Sequence, residues 1–174
     1  MAKGPRDRVP FRRRRENRTN YRVRKALLKS DLPRAIVRKT NRHIRIQVAN
    51  FHLKGDEIVA SAYSGTLTSY GWQGNLDNNP AAYLTGLIAG KHCLEAGIEE
   101  VILDIGRHVP TKGSVVFAAM KGLLDAGVKI PHDDAVVPDE ERIAGKHLSE
   151  SIQAKFAEIR DRLQEGKEEA SDNG

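Results

Sequence analysis

The sequence predicts an α/β fold: a mixed sheet in which an antiparallel three-strand meander is followed by a βαβ unit, with helices packed on the sheet and a basic N-terminal extension. Three observations carry that expectation. Between Arg34 and Tyr63, three β-type runs are separated by short polar turns. From Asn79 to Gly97, apolar residues recur at helical spacing between a start signal and a stop signal. From Val101 to Ile130 the chain reads strand, loop, helix, strand, which requires a parallel pairing and a right-handed crossover.

Taken in order, Met1 to Glu16 carries Pro5, Pro10 and the run Phe11-Arg12-Arg13-Arg14-Arg15 without any apolar period, so alone it is expected to be disordered. A short basic helix should follow, capped by Asn17 or Thr19, with Val23 and Leu27 four apart and Pro33 as its stop. The meander then comprises Arg34 to Thr40, His43 to Phe51 and Glu57 to Tyr63. In its middle strand Ile44, Ile46 and Val48 alternate with His43, Arg45, Gln47 and Ala49, giving one apolar face and one polar, basic face.

Ser64 to Asn79 is a loop rich in Gly, Ser and Asn, and a loop of that length is usually functional. Asn79 should cap the next helix, with Pro80 at its first position and Gly97 at its end. Beside its apolar stripe, Ala82, Gly86, Ala89, Gly90 and Cys93 are small enough to admit a second backbone, so Cys93 reads as packing. A strand at Val101 to Ile105, a loop at Gly106 to Gly113, a helix at Ser114 to Ala126 and a short strand at Val128 to Ile130 complete the βαβ unit. A final amphipathic helix carries Ile152, Phe156, Ile159 and Leu163, and Lys167 to Gly174 is expected to be disordered. The expected organisation is a basic arm and short helix at 1–33, an α/β domain at 34–148, and a C-terminal helix and tail at 149–174.

Charge points to the class of partner. Residues 1–42 hold 16 Lys and Arg against three acids, a net of +13, which leaves −7 on the other 132 residues of a chain whose net charge is +6. An acidic body with a segregated basic arm is the footprint of a nucleic-acid ligand, whose phosphates release counterions when neutralised. The arm lacks the bulky apolar residues of a membrane-surface helix. No apolar run approaches the about 20 residues of a membrane span, and the start leads into arginines rather than a signal core. One cysteine excludes an intrachain disulfide and fits a reducing compartment. A cytosolic protein without cofactor, membrane or small-molecule substrate is the expectation.

Catalytic motifs fit poorly. The segment Leu103 to Ser114 lies where a nucleotide-binding loop would, but Thr111 precedes Lys112 and Gly113 follows it, the wrong order for a P-loop. Lys112 beside a helix start can still hold an RNA phosphate, and an ordinary capped turn is the plain alternative. Asp104 with Asp133 and Asp134 raises the alternative of a metal-dependent nuclease, although nothing in the spacing gathers them. A basic-tailed RNA-binding or adaptor protein is the other alternative. The six histidines lack zinc-ligand spacing, so no metal site is expected. His92 and Cys93 are adjacent on a helix and point apart. Gly71-Trp72-Gln73-Gly74 matches a KH-type loop in letters only, because no helix immediately precedes it. Tyr70 and Trp72 are candidates to stack on bases, and equally to pack in the core.

A family resemblance narrows the reading. Arg38-Lys39-Thr40-Asn41-Arg42-His43-Ile44, Tyr70-Gly71-Trp72, Asn79-Pro80-Ala81-Ala82-Tyr83-Leu84-Thr85-Gly86-Leu87 and Leu103-Asp104-Ile105-Gly106 occur in order. So do Pro110-Thr111-Lys112-Gly113-Ser114 with Val116-Phe117-Ala118-Ala119, Asp125-Ala126-Gly127, Ile130-Pro131-His132 and Pro138-Asp139-Glu140-Glu141-Arg142. With this set, the chain resembles, over residues 5–148, the 5S-rRNA-binding large-subunit ribosomal protein of the L-eighteen family in its archaeal form. The resemblance implies a non-enzymatic constituent of the cytoplasmic large ribosomal subunit that binds 5S rRNA and helps dock it on the central protuberance. Its implied partners are 5S rRNA, the 23S-type large-subunit rRNA and neighbouring ribosomal proteins. It also implies RNA contacts at Arg12, Arg13, Arg14, Arg15, Arg18, Arg22, Arg24, Lys25, Arg38, Lys39, Asn41, Arg42 and Arg45. To these the residue reading adds His43, Tyr70, Trp72 and Lys112.

Overall fold

The computed structural model describes residues 4–6 and 8–165; the tail expected to be disordered lies outside them. Four strands form one mixed sheet: β1 (Arg34–Lys39), β2 (Ile44–Asn50), β3 (Glu57–Tyr63) and β4 (Ile102–Asp104), in the order β3-β2-β1-β4. β1–β2 and β2–β3 are antiparallel, and β1–β4 is parallel. The alternation in the sequence is realised, with Ala35, Val37, Ile44, Ile46 and Val48 fully buried on one face. Ala49 departs from the pattern: a bulge between Val48 and Ala49 shifts the register with β3, and Ala49 is buried although it belongs to the polar set.

The apolar face is covered by α3 (Asn79–Glu95), with α4 (Val115–Ala126) packed on α3. Rather than burying a single stripe, α3 is enclosed around its circumference, and Ala81, Ala82, Leu84, Thr85 and Ala89 have no exposure. The small residues set its distance from α4. A Cβ at Gly86 would collide with the Ala119 carbonyl, and one at Gly122 with the Tyr83 carbonyl. Cys93 is buried there, and burial pushes its thiol up to about 11. The C-terminal helix α6 (Glu150–Glu165) buries Phe156, Ile159 and Leu163 in the same core, Phe156 meeting Tyr83 at 5.7 Å between ring centroids. A short helix, α5 (Glu140–Ile143), buries Ile143.

Several sequence expectations shift. Asn78, not Asn79, caps α3, its side chain accepting from the Ala81 N–H at 3.0 Å; Asn79 instead donates to the Gly113 carbonyl. The strand expected at Val128 to Ile130 contracts to one parallel bridge, Glu100 to Lys129, because Pro131 ends the run and offers no N–H to extend the ladder. The loop after β3 begins as a 3₁₀ helix (Ser64–Tyr70) that sends Leu67 into the core.

Candidate nucleic-acid interface

The arm contains a single helical turn, α1 (Arg12–Arg15), and the short helix α2 (Tyr21–Leu27). Asn17 does not cap α2. It sits at φ +58, in the left-handed region that asparagine tolerates, and ends the α1 turn. Thr19 does not cap it either. Asn20 does, its side chain accepting from the Arg22 and Val23 N–H groups at 3.1 and 3.3 Å. Phe11 and Tyr21 bring α1 against α2, their ring centroids 5.7 Å apart. No residue of either helix is buried, so all four arginines of α1 face solvent, as do Arg18, Arg22 and Lys25.

On the sheet face away from α3, register places Arg38 opposite Arg45 and Arg45 opposite Tyr63. Tyr63 is an aromatic shelf: the Arg45 guanidinium lies 5.6 Å from its ring centroid and the His43 ring 4.8 Å from it. The β1–β2 turn is closed by Thr40, whose N–H donates to the His43 carbonyl at 2.8 Å and whose hydroxyl oxygen accepts from the His43 N–H at 3.1 Å. That turn holds Asn41 and Arg42 in solvent.

Beneath these exposed cations runs a chain of buried charge. Arg34, 1% exposed, donates to Asp56 and, at 3.0 Å, to Asp104. Asp56 also receives both oxygens' worth of contact from Arg24 of α2, at 2.8 and 3.0 Å. Asp104 also accepts from Arg38 at 3.1 Å and from the Gly106 N–H at 2.8 Å. Gly106 has φ +66, and a Cβ there would lie 2.7 Å from the Arg38 guanidinium carbon, so the glycine leaves room for the arginine. Burial alone would raise the Asp56 carboxyl, but the hydrogen bonds and charges of Arg24 and Arg34 hold it below the usual carboxylate value.

The structure gathers part of the expected set. Arg13, Arg18 and Arg24 of the arm line one small cleft with Arg38, Asp104 and Gly106. Lys39 is half-buried and paired with Asp77 at 3.2 Å, and its N–H donates to His108 Nε2 at 3.3 Å. Lys112 is exposed on the loop before α4. Arg14, Arg15, Arg22, Lys25, Arg42 and Lys112 form no ion pair with a described residue.

Two aromatic candidates fall elsewhere. Trp72 is a core residue, 4% exposed with its indole N–H donating to the Asn75 carbonyl at 3.2 Å, and so has no face to offer a base. Tyr70 is half-buried against the core, its ring 5.6 Å from Arg162 of α6. Residue types alone left both options open, because a glycine-rich loop gives no sign that its chain turns inward. Tyr63, Arg34 and Asp56 were missed; the signal for Tyr63 was its place in phase with Ser61 on the polar face of β3. Asp104 is no metal ligand in a carboxylate cluster: both oxygens are engaged by arginines, and no group of three His, Cys, Asp or Glu among the described residues could hold a metal. Among the described residues, no helix is long and apolar enough to cross a membrane.

A mixed α/β body with exposed cations on its arm and along one sheet face defines a basic-armed protein of the nucleic-acid-binding class. The family described as "Ribosomal large subunit proteins 60S L5, and 50S L18" matches residues 5–98 and 95–133. The chain is 52% identical over 150 residues to large ribosomal subunit protein uL18 of Haloarcula marismortui, covering 86% of this chain and 80% of that one. It is 51% identical over 158 residues to the uL18 of Korarchaeum cryptofilum (91% and 78%), and 51% over 150 residues to that of Halobacterium salinarum (86% and 82%). The chain therefore belongs to this family of large-subunit ribosomal proteins, in its archaeal branch, and is not an enzyme.

Proposed function

We propose that this chain binds 5S rRNA and helps attach it to the central protuberance of the large subunit, between large-subunit rRNA and neighbouring ribosomal proteins. The observation that carries the reading is the sharing of one cleft by Arg13, Arg18 and Arg24 of the arm with Arg38 of the sheet. That arrangement makes arm and sheet face one basic surface instead of a loose polycation beside an unrelated body. Arg12, Arg13, Arg14, Arg15, Arg18, Arg22, Lys25 and Arg42 then meet phosphates, Asn41 and Arg45 meet RNA at the sheet edge, and Lys112 holds a phosphate near the start of α4. The proposed organisation is a basic arm and short helix at 1–33, an α/β RNA-binding body at 34–148 and a C-terminal segment at 149–174.

The test is a gel-shift titration with 5S rRNA and a length-matched unrelated folded RNA at two salt concentrations. With about eight phosphate contacts, log affinity should fall against log salt with a slope of roughly −6 to −7. Preference for 5S rRNA that survives the higher salt supports the reading. Equal binding to both RNAs, lost together as salt rises, refutes it.

A further inference from the structure

We infer that Arg24 is not a phosphate contact but, with Asp56, a positioning pair that docks the arm's helix α2 on the sheet before RNA arrives. The inference deepens the RNA-binding reading and rests on it for its affinity arm. Three observations lead to it. First, α2 has only seven residues, far below the length at which a helix persists alone in water, and it buries none of them. Its hold on the sheet must come from specific contacts. Second, Nη2 of Arg24 donates to both oxygens of Asp56, at 2.8 and 3.0 Å, and the side chain is only about a third exposed. With its charge matched by that carboxylate and about two thirds of the side chain covered, the guanidinium gives a phosphate little access.

Third, Asp56 cannot turn away from the protein, because its other contact is Arg34, which is 1% exposed and depends on Asp56 and Asp104 for its charge pairing. Its Nε already has no partner. The carboxylate is thus fixed from below by a buried arginine and presents a ready acceptor to α2 from above. Arg22 and Lys25, on either side of Arg24, remain exposed and form no ion pair with a described residue. Docking through Arg24 therefore holds those two cations in place beside the body, lowering the ordering cost of binding.

The two roles for Arg24 predict opposite signs. If Arg24 met phosphate, removing the nearby carboxylate in Asp56→Asn would release it and reduce repulsion, so RNA affinity would rise. As a positioning pair, Asp56→Asn and Arg24→Met should each weaken 5S rRNA binding by roughly three- to tenfold. The salt slope should stay at its wild-type value, since no phosphate contact is lost. Arg22→Ala, the phosphate control, should lower the slope magnitude by about 1. The double variant should bind no worse than either single one, because the pair acts as a unit.

Hydrogen exchange on the free protein supplies a readout without RNA. Both variants should strip protection from residues 22–28 while the amides of β1 and β2 keep theirs. Arg24→Met changes a side chain about a third exposed on a helix with no buried residue, so it keeps the test alive should Asp56→Asn disturb folding. Unchanged exchange in α2, stronger binding by Asp56→Asn, or a slope reduced by about 1 in Arg24→Met would each overturn the proposal. Wild-type protein that shows no preference for 5S rRNA would sink the RNA reading, while the exchange data would still judge the docking.

Discussion

The arm and the body use the same chemistry, arginine against carboxylate, to opposite ends. In the arm, Glu16 pairs with Arg12 and Arg18 at 3.5 and 3.1 Å on the exposed surface. In the body, Arg34 pairs with Asp104 at 3.0 Å with both side chains almost completely buried. Exposed pairs of the first kind contribute about 0–1 kcal/mol and are readily exchanged for another anion. Breaking one of the second kind strands a buried charge. The difference teaches where this protein keeps cations for a ligand and where it spends them on its own architecture. Sequence position does not separate the two, since Arg34 and Arg38 lie within the same basic stretch of 1–42.

The hardest way to break the body is therefore Asp104→Ala. It removes the acceptor for Arg34, Arg38 and the Gly106 N–H together. A loss of about 3–5 kcal/mol is expected in urea unfolding, with the sheet edge at β4 affected first. Stability reduced by less than about 1 kcal/mol would mean the buried chain is dispensable. Next in size is Gly122→Ala, whose added methyl collides with the Tyr83 carbonyl across the α3–α4 contact. Overpacking of this kind should cost about 1–3 kcal/mol and lower the melting temperature, measured by calorimetry. The RNA salt slope of the folded fraction should not change, because the site lies in the core.

These two sites also mark how far the sequence could be read. The meander, α3 and α4 were legible because alternation, caps and glycines at helix ends are local signals with local causes. The close α3–α4 approach was foreshadowed by the small residues beside the α3 stripe. The cation surface was legible only as a population. Which cations stay free depends on Asp56 and Asp104, which reach β1 from a hairpin turn and from β4, contacts of 22 and 70 residues in sequence separation. For the same reason Trp72 resembled a loop-borne base stacker. Its burial follows from the 3₁₀ turn at Ser64–Tyr70, which a run of Gly, Ser and Thr does not announce. The last strand, after α4, was over-read because Val128 and Ile130 are buried without forming a ladder.

A subtler test lies where arm-side charge meets body. His108 accepts from the Lys39 N–H, which requires a neutral Nε2. Burial lowers its pKa below the usual 6.5, helped by the charges of Arg38 and Lys39. A histidine depressed in the folded state binds fewer protons folded than unfolded. Its contribution is therefore complete above about pH 6.5 and is lost as pH falls through the folded value. In paired urea titrations at pH 7.5 and 5.5, the stability gap between wild type and His108→Gln should narrow at the lower pH. A gap that widens would reverse the assignment of the neutral form.

The smallest expected effect on stability is the most informative about the comparison. Removing residues 1–16 discards the α1 turn, the Phe11–Tyr21 ring contact and the exposed Glu16 pairs, yet no buried side chain among the described residues. Calorimetry of the free truncated protein should show a stability change within about 0.5 kcal/mol. RNA binding should respond very differently. If Arg12 to Arg15 each meet a phosphate, the salt slope should become less steep by about 3 to 4. A large loss of melting temperature would show that the arm is part of the body's architecture. An unchanged salt slope would mean that the cations of residues 1–16 are not the ones RNA uses, and that Arg18, Arg22, Lys25, Arg42 and the sheet face carry the binding without them.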